Sequence, residues 1–246
     1  MGTETKQNTD PVLVLFSGGS DSTLVASMLA ETHSVVHLVT YRHRIMRHEE
    51  KCLKSLESLR QAHGANRFRH EFLDLNPLMN ELYFRPLARD LRRWGTYALP
   101  MCCGACKLAM HARTILYARE HGISEIADGS NVEMSELFPE QMPRVLALYA
   151  ELYRRFDLRH STPVYDVRRS DHCLFERGVT RKKDFKSQVF VYTNQHSCFA
   201  GTLLHSYALG ISIPLFGWSA DEDKAEAYVR AKMEEVCVPL LKQRGC

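Results

Sequence analysis

Val12-Leu13-Val14-Leu15-Phe16-Ser17-Gly18-Gly19-Ser20-Asp21-Ser22 is the stretch from which the fold of this chain is read. The short, partly β-branched apolar run at 12–16, stopped by a glycine pair, predicts a buried strand. Residues 22–31 follow with Leu24, Val25, Met28 and Leu29 on one side of a predicted helix. A Ser-Gly-Gly turn between a strand and a helix lies where open α/β sheets bind ligands, at the carboxyl end of a strand. Glycine has no Cβ to keep a phosphate at a distance. The N–H groups of the turn and of the helix start then point at the anion, and Ser17, Ser20 and Ser22 add hydroxyls. Asp21 is ill suited to bare phosphate, so its expected role is to hold Mg²⁺ bridging the phosphates. The plain alternative is an ordinary glycine-rich turn.

Outward from this loop, apolar runs alternate with amphipathic stretches. Strands are predicted at 35–40 and 68–75, and helices at 51–62, around Pro86, at 107–121 (closed by Gly122) and from Pro143 onward. A short apolar strand ending at Ile126-Ala127 leads into Asp128-Gly129-Ser130-Asn131. The last third is less regular, with strands expected at 189–192 and 211–216 and a closing amphipathic helix at 220–242. Such alternation predicts an α/β fold, a doubly wound and mostly parallel sheet with helices on both faces. Residues 1–10 read as a polar tail and 11–246 as one domain, with a core to about 170 and an extension from 171.

The loop lacks the Gly-Lys-Ser/Thr ending of a Walker A sequence. It resembles the SGGxDS signature of the PP-loop, or N-type ATP pyrophosphatase, superfamily. That resemblance implies ATP gripped by Ser17, Gly18, Gly19, Ser20, Asp21 and Ser22 and cut to AMP and pyrophosphate while a substrate oxygen is adenylated. It extends to Gly129 and Asn131, where members carry a Gly-His-Asn-like turn, although Ser130 here replaces the histidine. It also places the adenine near Thr40 to His43. Thr180, Arg181, Lys182 and Lys183 read as a helix start offering basic groups, Lys182 among them, to ATP or substrate.

Eight cysteines suit metal binding or catalysis in a cytoplasmic protein better than disulfides. Cys52, Cys237 and Cys246 read as packing or tail residues. Cys102-Cys103-Gly104-Ala105-Cys106 sits at a predicted helix start, where the dipole favours thiolates. One CxxC cannot complete a four-cysteine zinc site, and Cys198, after a predicted strand, is the next candidate. The layout resembles the cluster-dependent tRNA 2-thiocytidine and 2-thiouridine synthases of the superfamily. The resemblance implies a 4Fe-4S cluster on Cys103, Cys106 and Cys198 with one iron open to carry sulfide, and Cys102 as a substitute ligand or sulfur carrier. Cys103-Gly104-Ala105-Cys106 and Ser197-Cys198-Phe199-Ala200-Gly201 also look like pieces of the 7-cyano-7-deazaguanine synthases, which implies structural Zn²⁺; Asp171-His172-Cys173 reads either as the source of a further ligand, Cys173, or as a surface turn. A nucleotide-binding redox sensor is the third reading.

The formal charge of +3 does not announce nucleic-acid binding, but the basic residues cluster at Arg42 to Arg47, Arg85 to Arg93 and Arg181 to Lys186. They fit either phosphate contacts or solvated helix faces. The acceptor expected is a nucleobase carbonyl, in tRNA or a small molecule, with sulfur from a separate donor system. A homodimer accords with the superfamily. No apolar run is long enough to span a membrane, and a soluble cytoplasmic protein is the default.

Overall fold

The computed structural model describes residues 10–135, 138–181, 197–198, 203 and 221–246. The tail residues 1–9, Lys182 and the strands expected at 189–192 and 211–216 lie outside them. Five parallel strands form the main sheet: β1 (Val12–Leu15), β2 (Val36–Arg42), β4 (Phe68–Asp74), β5 (Glu125–Asp128) and β6 (Arg159–Ser161). Their order is β4-β2-β1-β5-β6. The order reverses beside β1, so the crevice between the ends of β1 and β5 is the topological switch point at which such sheets bind ligands.

The alternation of side chains along β1 explains the two layers. Val12, Val14 and Phe16 pack on one face with Leu24, Val25, Leu56, Leu59 and Leu174. These come from α1 (Ser20–Thr32), α2 (Cys52–His63) and α7 (Ser170–Glu176). Leu13 and Leu15 join the opposite cluster with Leu108, Ile115, Tyr149 and Leu152. That layer is built from α3 (Asn76–Met79), α4 (Leu87–Trp94), α5 (Cys102–His121), α6 (Pro143–Arg154), α8 (Glu222–Lys232) and α9 (Val238–Gln243). The doubly wound arrangement read from the sequence is therefore the observed one. Gly122 closes α5 in the left-handed conformation that glycine adopts without strain. No described helix is long and apolar enough to cross a membrane.

Several elements were not foreseen. Asp171-His172-Cys173, read as a surface turn, belongs to α7. The closing helix is two α-helices joined by a π-helical turn, Met233–Cys237. A small antiparallel ladder pairs β3 (Met46–Arg47) with β7 (Ser197–Cys198), placing Cys198 opposite Met46. The C-terminal helix is fastened by a buried ion pair, Lys232 Nζ to Asp90 Oδ2, with the Tyr228 hydroxyl 3.3 Å from the same oxygen. Lys232→Met leaves the Asp90 charge buried without its counterion, so stability in denaturant titrations should fall by about 3–5 kcal/mol. The double variant Asp90→Asn/Lys232→Met should lose clearly less than the two single changes together.

Candidate functional site

The loop after β1 is held open by its own hydroxyls. Gly18 has φ 78°, and its carbonyl accepts from Ser55 Oγ of α2 at 2.7 Å. Ser22 Oγ lies 3.1 Å from Ser17 Oγ and 3.3 Å from the Ser17 amide, folding the loop over the first turn of α1. No side chain among the described residues caps that helix start. Its amides and positive dipole end therefore face outward, as an anion site requires. Beside the loop is a cavity of about 460 Å³ lined by Gly18, Ser20, Ser55, Thr180 and Arg181 among others. That volume suits a small-molecule site. Arg181, distant in sequence from the loop, thus lines the same cavity.

Asp21 is positioned from two sides. Its Oδ1 accepts from Ser170 Oγ of α7 and lies 3.5 Å from Asn131 Nδ2. Asn131 is fixed in turn by the Val167 carbonyl at 2.8 Å and by Gln141 Oε1 on its amide at 3.0 Å. Gly129 explains how the turn after β5 comes so near. A Cβ there would lie 2.6 Å from the Ser22 nitrogen and 2.9 Å from the Asp21 carbonyl carbon. The structure thus brings Asp21, Gly129 and Asn131 together. Thr40 is placed differently: β2 runs on to Arg42, and the fully buried Thr40 hydroxyl is engaged by the Phe16 carbonyl at 2.7 Å and His70 Nε2 at 2.8 Å. Its hydroxyl belongs to the interior.

The second constellation stands at the start of α5, at the same end of the sheet. Cys102 and Cys106 are buried and Cys103 half-buried on the first turns, and the β3–β7 ladder carries Cys198 to them. The helix start does not yield the thiolates expected of it. Burial pushes the Cys102 thiol up to about 12, with the neighbouring Cys198 sulfur adding to the rise. Cys106 is held well above the ordinary range by burial and then by Cys198 and Cys102. Cys103 is raised by burial and then by Glu140. Desolvation outweighs the dipole. Glu140, buried with its Oε2 unpartnered, is itself raised to about 7 by burial. Four sulfurs and a carboxyl gather here, with the Lys107 ammonium acting against burial at Cys106 and Glu140 and with His43 Nε2 3.5 Å from Cys106 Sγ; a bound metal group would favour the charged form of such donors. The structure thus brings Cys198 near the helix start that carries Cys102, Cys103 and Cys106, and thiols are the donor type that a cluster or a soft metal ion takes.

Lys107 joins the two constellations. It follows Cys106 in α5, and its Nζ lies 3.1 Å from Ser130 Oγ and 3.5 Å from Asp128 Oδ2. Sequence reasoning gave no role to Lys107, Ser130, Glu140 or Ser170. The position of Lys107 directly after the CxxC was the available signal; nothing local marks Glu140 or Ser170. Arg85, Arg89 and Arg93, read as either phosphate contacts or a solvated helix face, are exposed and pair with Glu81 and Glu235.

No protein-family model matches the chain, and no curated protein matches it. Solved structures do. A 4-thiouridine synthetase in complex with RNA and with bound ATP aligns at TM-score 0.51 and 18% identity, over 89% of this chain and 53% of its own. The present chain therefore spans about half the length of that synthetase. A predicted subunit of a tRNA methyltransferase from Methanocaldococcus jannaschii aligns at 0.42 and 20% identity, over 68% of this chain and 76% of its own. The U34-tRNA thiolase NcsA from Methanococcus maripaludis, solved with its 4Fe-4S cluster, aligns at 0.44 and 15% identity, over 98% of this chain and 74% of its own. The likeness to the synthetase shows the fold, the PP-loop ATPase α/β fold that the loop implied.

Gly129→Ala should drive a methyl into the backbone of α1 and weaken ATP binding at least tenfold in calorimetry, while the circular dichroism of the sheet is kept. Glu140 provides a pH test on the metal-free chain. Its folded pKa, about 7, exceeds the ordinary glutamate value of 4.5, so the native state binds the extra proton between those values. Stability should fall by a few kcal/mol as pH rises through that window and then level off. In Glu140→Gln the melting temperature should lose this slope.

Proposed function

We propose that this chain is an ATP-dependent sulfurtransferase that adenylates a nucleobase carbonyl oxygen, in tRNA, and replaces it with sulfur. One observation carries the reading. An unbroken run of contacts leads from the thiols to the nucleotide loop: Cys106 adjoins Lys107, Lys107 bonds Ser130, and Gly129 packs on Asp21 and Ser22. A group held by the cysteines and a phosphate held by the loop therefore share one end of the sheet.

In the proposed reaction the loop amides and Ser17, Ser20 and Ser22 hold the ATP phosphates, with Arg181 adding positive charge. Asp21, oriented by Ser170 and Asn131, would hold Mg²⁺, which would offset phosphate charge. The substrate carbonyl oxygen attacks the α-phosphorus and pyrophosphate leaves, so the base oxygen becomes part of a good leaving group. Hydrosulfide from a separate donor system then adds at the activated carbon. The carbon–oxygen bond breaks, AMP departs with the original oxygen, and the hydrosulfide proton passes to solvent. Lys107 stands between the two steps, where it offsets charge on the departing adenylate. The protein's contribution is positioning and charge compensation. Cys103, Cys106 and Cys198 would hold a 4Fe-4S cluster, which when bound supplies a site for the incoming sulfur, with Cys102 next to it. The fold shared with a synthetase solved with RNA and ATP supports tRNA as the acceptor.

Anaerobic purification with iron, sulfide and zinc analysis, followed by a pyrophosphate assay with tRNA and sulfide, tests the proposal. Iron near four per chain and tRNA-dependent pyrophosphate are expected. Stoichiometric zinc without iron, or ATP binding with no pyrophosphate formed, would overturn it. Asp21→Asn should lower AMP formation by at least a hundredfold with the fold intact. Cys198→Ser should lose the iron.

A further inference from the structure

Away from the sulfurs, three side chains from three elements meet in the interior. They are His111 in the middle of α5, Asp128 at the last position of β5 and His160 in β6. We infer that His111, Asp128 and His160 form a second metal site, separate from the cysteines, for one divalent transition cation of the zinc type. One ligand atom from each lies within 4.8 Å of the other two. Asp128 Oδ2 is the common point, 3.0 Å from His160 Nε2 and 3.8 Å from His111 Nε2.

The geometry is that of a preorganised donor set. Asp128 Oδ1 is taken by the Ser130 amide at 2.7 Å, which turns Oδ2 toward the two rings. His111 Nδ1 is 2.9 Å from the Tyr153 hydroxyl, the outer hydrogen bond that typically fixes a ligating imidazole. That leaves Nε2 facing the carboxylate, fully buried and without a hydrogen-bond partner. Such an orphaned nitrogen costs free energy unless a cation takes it up. The rings are clamped as well, His111 against Tyr149 with centroids 4.2 Å apart and His160 stacked on Tyr153 at 4.8 Å. Two imidazoles and one carboxylate with the metal-facing nitrogens converging are zinc-type chemistry, and they differ from the soft donors at the start of α5.

Lys107 is the competitor. Its ammonium lies 3.5 Å from Asp128 Oδ2, where the cation's charge would act. An incoming ion displaces it from that oxygen, and it keeps Ser130 Oγ, 3.1 Å away on the nucleotide side. Occupancy of the site would thus bias the lysine toward the turn that touches Asp21. The ion would also tie the edge strand β6 to α5 and β5.

The test uses the full chain with Cys102, Cys103, Cys106 and Cys198 all changed to Ser, stripped with chelator and titrated with Co²⁺. The expected result is one equivalent bound, with the visible bands of nitrogen and oxygen ligation and without thiolate charge-transfer absorption. Zn²⁺ should displace it and raise the melting temperature. In that background His160→Gln should weaken binding by on the order of a hundredfold, and Lys107→Met should tighten it. A folded four-serine chain that takes up no Co²⁺, or one whose affinity is the same with His160→Gln, overturns the inference. Should the four-serine chain not fold, the wild-type chain and its His160→Gln variant are compared directly. They should differ by one Co²⁺ equivalent lacking sulfur bands, and equal uptake by the two overturns the inference.

Discussion

Everything at the working end of this molecule depends on one backbone contact, the approach of Gly129 to the first turn of α1. Strands β1 and β5 are neighbours in register, Leu15 beside Asp128, so their outgoing loops must share the same small space. A side chain at residue 129 would hold them apart. With glycine there, Asn131 reaches Asp21, and the anion-seeking start of α1 becomes one wall of a compound site. The same contact sets how far Ser130 stands from Lys107, and so how closely the thiol corner is linked to the loop.

Charge follows the packing. The nucleotide side is rich in donors, from loop amides, serine hydroxyls and Arg181, and lacks only an anion. At the thiol corner burial raises Cys102, Cys103, Cys106 and Glu140 and so favours their protonated forms. Asp128 lies between them, and burial works against its charge. The Lys107 ammonium and the His160 ring outweigh that burial and hold its carboxyl well below the usual carboxylate range. A buried carboxylate with three basic groups around it behaves as an electrostatic hinge: whichever cation it prefers decides where the others point.

The loop was legible in the sequence because strand, turn and helix are contiguous there, and each follows a local rule: β-branched run, glycine pair, 3.6-residue period. The doubly wound parallel sheet followed from the same alternation. What stayed hidden is what the chain assembles from afar. Arg159–Ser161 is three residues long and exposed at two of them, so β6 has no apolar run to betray it. Met46–Arg47 and Ser197–Cys198 become strands by finding each other. The helix-dipole argument for Cys103 and Cys106 was sound locally and was overridden by desolvation, a quantity that only packing sets. His111 and His160 looked like any other histidines until β5 put Asp128 between them.

The pairing of Met46 with Cys198 has a kinetic meaning. Most strand contacts here join residues a few dozen positions apart, but this ladder closes a chain segment of roughly 150 residues, and loop-closure entropy grows with segment length. Its few backbone hydrogen bonds return little for that closure, so the ladder belongs at the low-stability end of the molecule, able to open while the five-stranded sheet stays folded. During synthesis the loop after β1 can form long before residue 198 leaves the ribosome. The ladder that carries Cys198 is thus the latest of the strand pairings to form and an early one to come apart.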